Sequence, residues 1–257
     1  LIGIGIDPGL TNMGLCRVAL HRVYTVFDEE LGEDMEMLDF EILNWEMWDT
    51  KRRITYAMDE NSRVRTNKFD GDNRRRDDML SMNQNVALFV RSSDWLFEKD
   101  ADGRLAPFVS ETQCDFVKNN QIQVSIMANL LPCAIATLDL ERHPGTAHRE
   151  FLHGNKKYGL PRDGTKEYEE RKDRIVEITS AILRRMGKRQ YITYIHLLEL
   201  AQKRDRTDQK SPTIKTNDVC DAFGVILQWL RNKWLERHRK IGDGSVPEEK
   251  TIELTLF

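Results

Sequence analysis

The chain predicts an α/β domain built on a mixed sheet, and three observations carry that expectation. It opens on a short Ile-rich apolar run, Leu1 to Ile6, closed by Asp7-Pro8-Gly9. An amphipathic helix would not carry Gly3 and Gly5 and then stop at Pro8, so the run is a buried strand ending in a turn. A second apolar run, Ala106 to Ser110, also ends on an acid, Glu111. Between and after these, strand patterns come first and then alternate with helical ones, which is the order of a mixed sheet flanked by helices.

Taken in order, Leu15–Leu20 and Val23–Phe27 are expected to be two strands joined by a tight turn, with a third from about Leu38 to Trp45. Gly9 and Gly14 are expected to supply backbone geometry that other residues resist. Lys51 to Asp78 shows little hydrophobic period and is expected to be an exposed basic insertion or arm. Val86, Phe89, Val90, Trp95 and Leu96 have helical spacing, predicting a helix over Met79–Phe97. Asn119–Leu140 predicts a second helix, with Ile122, Ile126, Leu130 and Ile135 apolar. His143 to Phe151 predicts a short strand and turn. Lys166–Met186 predicts a helix ended by Gly187, and Tyr191–Gln202 a short one. Asn217–His238 predicts the last long helix, with Asn217 as N-cap. Gly242 to Glu249 is a linker, and Thr251–Phe257 alternates like an edge strand.

At 257 residues the chain can bury a sizeable core. It is expected to be one domain, 1–257, with a charged insertion over about 28–78 and an extension at 242–257. No apolar run approaches bilayer length, so no membrane partner is expected, and no secretory leader is visible. Cys16, Cys114, Cys133 and Cys220 lack metal-ligand spacing and sit in apolar surroundings. They are expected to be free core thiols in a reducing, intracellular compartment. His143, His148 and His153 match no zinc pattern and are expected in loops or on the surface. Trp45, Trp48 and Trp95 are assigned to the core rather than to base stacking.

The net charge of −3 does not announce a nucleic-acid binder, but the charges are segregated. Asp28 to Asp49 is acidic and holds no Lys or Arg. Lys51-Arg52-Arg53 and Arg74-Arg75-Arg76 bracket a basic stretch, and Lys156-Lys157, Lys210 and Lys215 lie in further basic loops. Clustered cations of this kind are candidate phosphate contacts.

Carboxylates recur where a sheet could collect them: Asp7 after the first strand, Glu111 after a later one, Asp218 and Asp221 on the last helix. The last two are one helical turn apart and share a face. Like charges so placed repel, unless hard divalent cations sit between them. A pair of Mg²⁺ ions about 4 Å apart can clamp the attacking and leaving oxygens of a phosphodiester. Helix capping with a solvated acid is the simpler account of Asp218 and Asp221 alone. Val219, Ala222, Phe223, Val225 and Ile226 nevertheless press that helix on the sheet.

Gly5-Ile6-Asp7-Pro8-Gly9 resembles the opening motif of RuvC-type Holliday junction resolvases. Val109-Ser110-Glu111-Thr112-Gln113 resembles their second motif, and Asn217-Asp218-Val219-Cys220-Asp221-Ala222-Phe223 their last, Asp-x-x-Asp-Ala on a helix. Pro144 to Lys157 loosely resembles the strand and basic loop between. The Asp-Ala-Phe ending and the long intervals resemble most the resolvases of large eukaryotic DNA viruses, then the mitochondrial ones. The resemblance implies an RNase H-like fold with a mixed five-stranded sheet. It implies a homodimeric endonuclease that nicks four-way DNA junctions symmetrically. Asp7, Glu111, Asp218 and Asp221 would then be both catalytic residues and metal ligands, holding two Mg²⁺ per active site, with Mn²⁺ able to substitute. A viral chain would act in the host nucleus or at a cytoplasmic replication site, an organellar one in the mitochondrion. Asn217 departs from the pattern, since several relatives carry another acid there.

Three rivals stay open. One is another nuclease or transposase-like enzyme of the same fold. A second is a DNA-binding protein of that fold that no longer cleaves. An actin-like or sugar-kinase ATPase also has a strand followed by Asp-x-Gly, but it needs a later Gly-Gly, which this chain lacks.

Overall fold

The computed structural model describes residues 1–9, 12–29, 32–58, 64–69, 79–112, 140–144, 166–185, 191–196, 198–199 and 216–241. Seven strands form one mixed sheet: β1 (Ile2–Pro8), β2 (Asn12–Asp28), β3 (Glu33–Asp49), β4 (Ile54–Met58), β5 (Val64–Lys68), β6 (Phe108–Thr112) and β7 (Leu140–Pro144). Their order is β5-β4-β3-β2-β1-β6-β7. Strands β1 to β5 are successively antiparallel, whereas β6 runs parallel to β1 and β7 parallel to β6. The central β3-β2-β1-β6-β7, with β2 alone reversed, has the order and directions of an RNase H-like sheet.

The sheet is wider than the five strands expected. The two additional strands come from the stretch read as an exposed basic arm. Ile54, Tyr56 and Met58 are buried on one face of β4, and they alternate with Thr55 and Ala57. That short period-two signal was masked by the surrounding Lys and Arg.

The expected turn within 15–27 is absent, and β2 is continuous over 17 residues. Its pairing with β3 shifts register between Arg17 and Val18 and again between Leu20 and Arg22. Leu43 and His21 are the residues left over at the two bulges. Cys16, Val18 and Leu20 face one core, and after the second bulge Val23 takes over that face. A bulge therefore reverses the alternation that a sequence pattern reads as a turn.

Helix α1 (Met79–Ser92) stops short of the predicted Phe97, and a 3-10 turn (Asp94–Phe97) follows it. Helix α2 (Lys166–Arg185) and helical residues 191–196 match expectation. Helix α3 (Thr216–Ile241) begins before Asn217, so Asn217 lies in its first turn rather than capping it. Leu140 and His143 belong to β7. Of the helix expected over Asn119–Leu140, Leu140 is in β7 instead and residues 119–139 lie outside the described residues, as do the loop at 154–159, the basic loop at 203–215 and the strand at 251–257. Among the described residues no helix is long and apolar enough to cross a membrane.

Each face of the sheet carries its own core. On one face Ile4, Ile6, Met13, Leu15, Trp48 and Phe108 pack against Val86, Phe89 and Val90 of α1. On the other, Cys16, Val18, Trp45, Met47, Tyr56 and Val109 pack against α3 and α2. The three tryptophans expected in the core are there, all buried, with Trp45 on the α3 face and Trp48 and Trp95 on the α1 face. Cys16 and Cys220 are free and buried as expected.

Candidate active site

The site begins with side chains that are missing. In β1, Gly3, Gly5 and Asp7 alternate onto the α3 face, while Ile4 and Ile6 fill the core under α1. A Cβ on Gly5 would overlap the Ala222 carbonyl and lie 2.8 Å from Ile226 Cβ. A Cβ on Gly14 would overlap the Asp218 carbonyl oxygen and lie 2.6 Å from its carbon. Gly14 thus has a steric role, not the conformational one expected, since the positive-φ glycines among the described residues are Gly32 and Gly103.

The consequence is placement. Gly14 is the register partner of Asp7. The backbone of Asp218 rests on Gly14, so the first turn of α3 lies beside the carboxylate end of β1. Asp221 follows one turn later on that helix. From β3, Trp45 Nε1 donates to the Val219 carbonyl at 2.7 Å and pins the same turn.

Glu111 reaches this end by a separate route. Gly5 pairs with Val109 and Ile6 with Ser110 in parallel register, so Asp7 and Glu111, each the next residue, stand at the same level at the ends of adjacent strands. Val109 is in the α3-side core, and Glu111 is two residues further along. The side chain of Glu111 lies outside the described atoms. Its register partner on β7 is His143, which the sequence had suggested for a loop. Fold and register thus bring the four predicted acid positions to one end of one face.

Asp7, Asp218 and Asp221 are each partly exposed. Asn217 Nδ2 donates to Asp218 Oδ1 at 2.6 Å, fixing one oxygen of that carboxylate. Behind them Cys220 is fully buried. Burial pushes its thiol far up, a Thr179 hydrogen bond opposes this, and the charges of Asp221 and Asp218 push it further. It stays a neutral thiol and is no candidate nucleophile. Among the described residues, no three His, Cys, Asp or Glu side chains are gathered closely enough to hold a metal ion. In kind, the donors that line this end are carboxylate oxygens, the set that hard divalent cations select.

The basic candidates separate. Lys51 and Arg52 lie in the β3–β4 turn at the same end of the sheet. Asp49 accepts from the Lys51 and Arg52 backbone N–H groups at 3.1 and 2.9 Å. Arg53, at φ 55°, turns to the opposite face, where Nε donates to Asn85 Oδ1 of α1 at 2.6 Å. Arg74, Arg75, Arg76, Lys156, Lys157, Lys210, Lys215, His148 and His153 lie outside the described residues.

No family model matches the chain, and no curated protein matches it. Among solved structures it is similar to Thermus thermophilus RuvC, with a TM-score of 0.45 and 12% identity over 93% of this chain and 97% of that one. It is also similar to T. thermophilus RuvC in complex with a Holliday junction substrate, with a TM-score of 0.43 and 12% identity over 91% and 98%.

Proposed function

We propose that the chain is a divalent-metal-dependent endodeoxyribonuclease that resolves four-way DNA junctions by paired, symmetric nicks. The observation that carries this reading is the glycine-lined approach of α3 to β1. It sets Asp218 beside Asp7 at the sheet end that Glu111 also reaches. It supports reading the three motifs, distant in sequence, as parts of one acidic site, as the resemblance implies.

Asp7, Glu111, Asp218 and Asp221 would hold Mg²⁺. Bound there, the cation would lower the pKa of a water and neutralise charge at the phosphodiester. The protein's part is placement. Asp7 is the last inward residue of a central strand, paired on both sides, so its backbone is rigid. Asp218 and Asp221 are fixed by a helix seated on glycine and tied by Trp45. The Asn217 amide constrains one Asp218 oxygen. Four carboxylates alone would repel a phosphate, so cleavage is expected only with a divalent cation present. A two-fold junction requires two such sites, hence two copies of the chain.

The test is incubation with a synthetic four-way junction and a matched linear duplex, in Mg²⁺ or in EDTA. Paired nicks on the junction alone, in Mg²⁺ alone and lost in Asp7→Asn, are expected. Equal cutting of both substrates would point to a general nuclease. Tight binding without cutting would point to a non-cleaving protein of this fold.

A further inference from the structure

The β3–β4 turn and the end of β5 place cations on the face and end of the sheet that carry Asp7. Tyr56 pairs with Met47, which pairs with Gly14, the partner of Asp7, so the four share one row across the sheet. Asp49 lies two residues further along β3 on the same face. With strands about 4.8 Å apart and about 3.3 Å per residue, it stands roughly 12 Å from Asp7. Lys68 pairs with Ile54, whose side chain is in the α3-side core, so alternation puts Lys68 on this face too. Both Lys51 and Lys68 are exposed. Arg52, with a side chain 48% exposed, is held 3.8 Å from Asp49.

Two features mark this as a built site rather than a solvated surface. Asp49 is buried and accepts from two successive backbone N–H groups, so the turn that presents Lys51 and Arg52 is braced from within. Beneath it, the Tyr56 hydroxyl is buried beside the Arg52 guanidinium, which acts on it as a hydrogen-bond donor, and its own proton meets no acceptor among the described residues. A buried hydroxyl left without an acceptor is unfavourable, and an incoming anion's oxygen would satisfy it.

We propose that Lys51, Arg52, Lys68 and the Tyr56 hydroxyl form a phosphate-binding site for the DNA backbone, flanking the acidic site along the same sheet face. It rests on the nuclease reading and adds the course of the bound strand. From the acids, the backbone runs along this end of the sheet, past the ends of β2 and β3, toward the β3–β4 turn and the end of β5. The cations grip phosphate and leave the bases unread.

The experiment measures binding of a fluorescein-labelled four-way junction by anisotropy in EDTA, from 50 to 300 mM monovalent salt. The variants are K51A/R52A/K68A, Y56F, and a charge-matched control, R91A/K99A/R104A, whose exposed cations lie outside this face and end. Thermal melts confirm that each variant folds. The triple variant is expected to bind about 30-fold more weakly at 0.1 M salt, with the slope of log affinity against log salt reduced by about 2 to 3. Y56F is expected to bind about threefold more weakly, and the control within about twofold of the wild type. An unchanged affinity and slope in the triple variant would overturn the site, as would an equal loss in the control. Cleavage lost in Asp7→Asn would still stand in that case, so the two readings fail separately. A wild-type chain that binds no DNA would overturn both.

Discussion

One carboxylate on the α1 face of the sheet and three at the end of the α3 face are alike in exposure and differ in their surroundings. On the α1 face, Glu46 is partly exposed, with Trp95 Nε1 donating to one oxygen and Trp48 Nε1 to the other, each at 3.0 Å. Burial raises its pKa, and the two indoles oppose the rise. On the α3 face, Asp7, Asp218 and Asp221 are partly exposed at the sheet end, beside a helix seated on glycine. Glu46 is satisfied from within the protein, and nothing further is needed to explain it. The second set lies at one end of the sheet, where the proposed function gives it a cation to hold. An indole donor on each oxygen is the mark of a structural acid.

The most drastic way to break this contrast is to fill the lane under α3. Gly14→Val would push the Asp218 backbone off β2, and the helix could not settle elsewhere without losing its apolar contacts. A loss of about 3 kcal/mol is expected, seen as a melting point lowered by about 6–12 °C, together with loss of cleavage. The same substitution at Leu43, half-exposed in a bulge, is expected to change the melting point by less than about 2 °C.

Next is the response to metal. A cation bound at tenfold its dissociation constant stabilises the folded chain by about 1.4 kcal/mol. Thermal melts in Mg²⁺ are expected to rise for the wild type and not for Asp7→Asn or Asp218→Asn. In EDTA, Asp218→Asn is expected to melt at or above the wild type, because one of two neighbouring like charges has gone. A Mg²⁺ response that survives in both variants would place the metal elsewhere.

Smaller still is Trp45→Phe, which keeps the ring against Phe223 and Tyr194 but removes the donor to Val219. About 1 kcal/mol of stability is expected to be lost. Cleavage should fall by more than stability does, because the first turn of α3 is what loosens.

The smallest effect sharpens the other side of the comparison. The folded pKa of Glu46 is raised, so the folded chain binds its proton more tightly than the unfolded chain does. Its contribution to stability is therefore greatest below the ordinary carboxylate value, and it declines as pH rises through the raised value. Glu46→Gln is expected to remove that slope. Chemical denaturation at pH 4 and pH 7 should show the wild type losing ground to the variant at the higher pH. A constant difference between the two would mean that Glu46 does not titrate differently on folding.

Much of this molecule was legible in the chain itself. Leu1–Ile6 and its Asp-Pro-Gly stop identify β1, because glycine and proline punctuate a strand and defeat a helix. The same strand-then-acid form at Glu111 and the spacing of Asp218 and Asp221 nominate the acids, because alternation and helical period are local properties. The burial of Trp45, Trp48 and Trp95 follows from the same patterns.

What the tertiary structure alone decided is who meets whom. The bulges at His21 and Leu43 turn an apparent hairpin into one strand, because pairing with β3 tolerates an extra residue that a one-dimensional pattern reads as a break. Residues 54–58 and 64–68 join the sheet because β3 offers an open edge, a fact written far from them in the sequence. Arg52 and Arg53 look alike in the chain, yet the turn sends them to opposite faces. The nearness of Asp218 to Asp7 depends on Gly5 and Gly14 having no side chain. Only packing α3 onto β1 and β2 turns that lack into a close approach of the first turn of α3 to the end of β1, since the contact is between backbone and backbone.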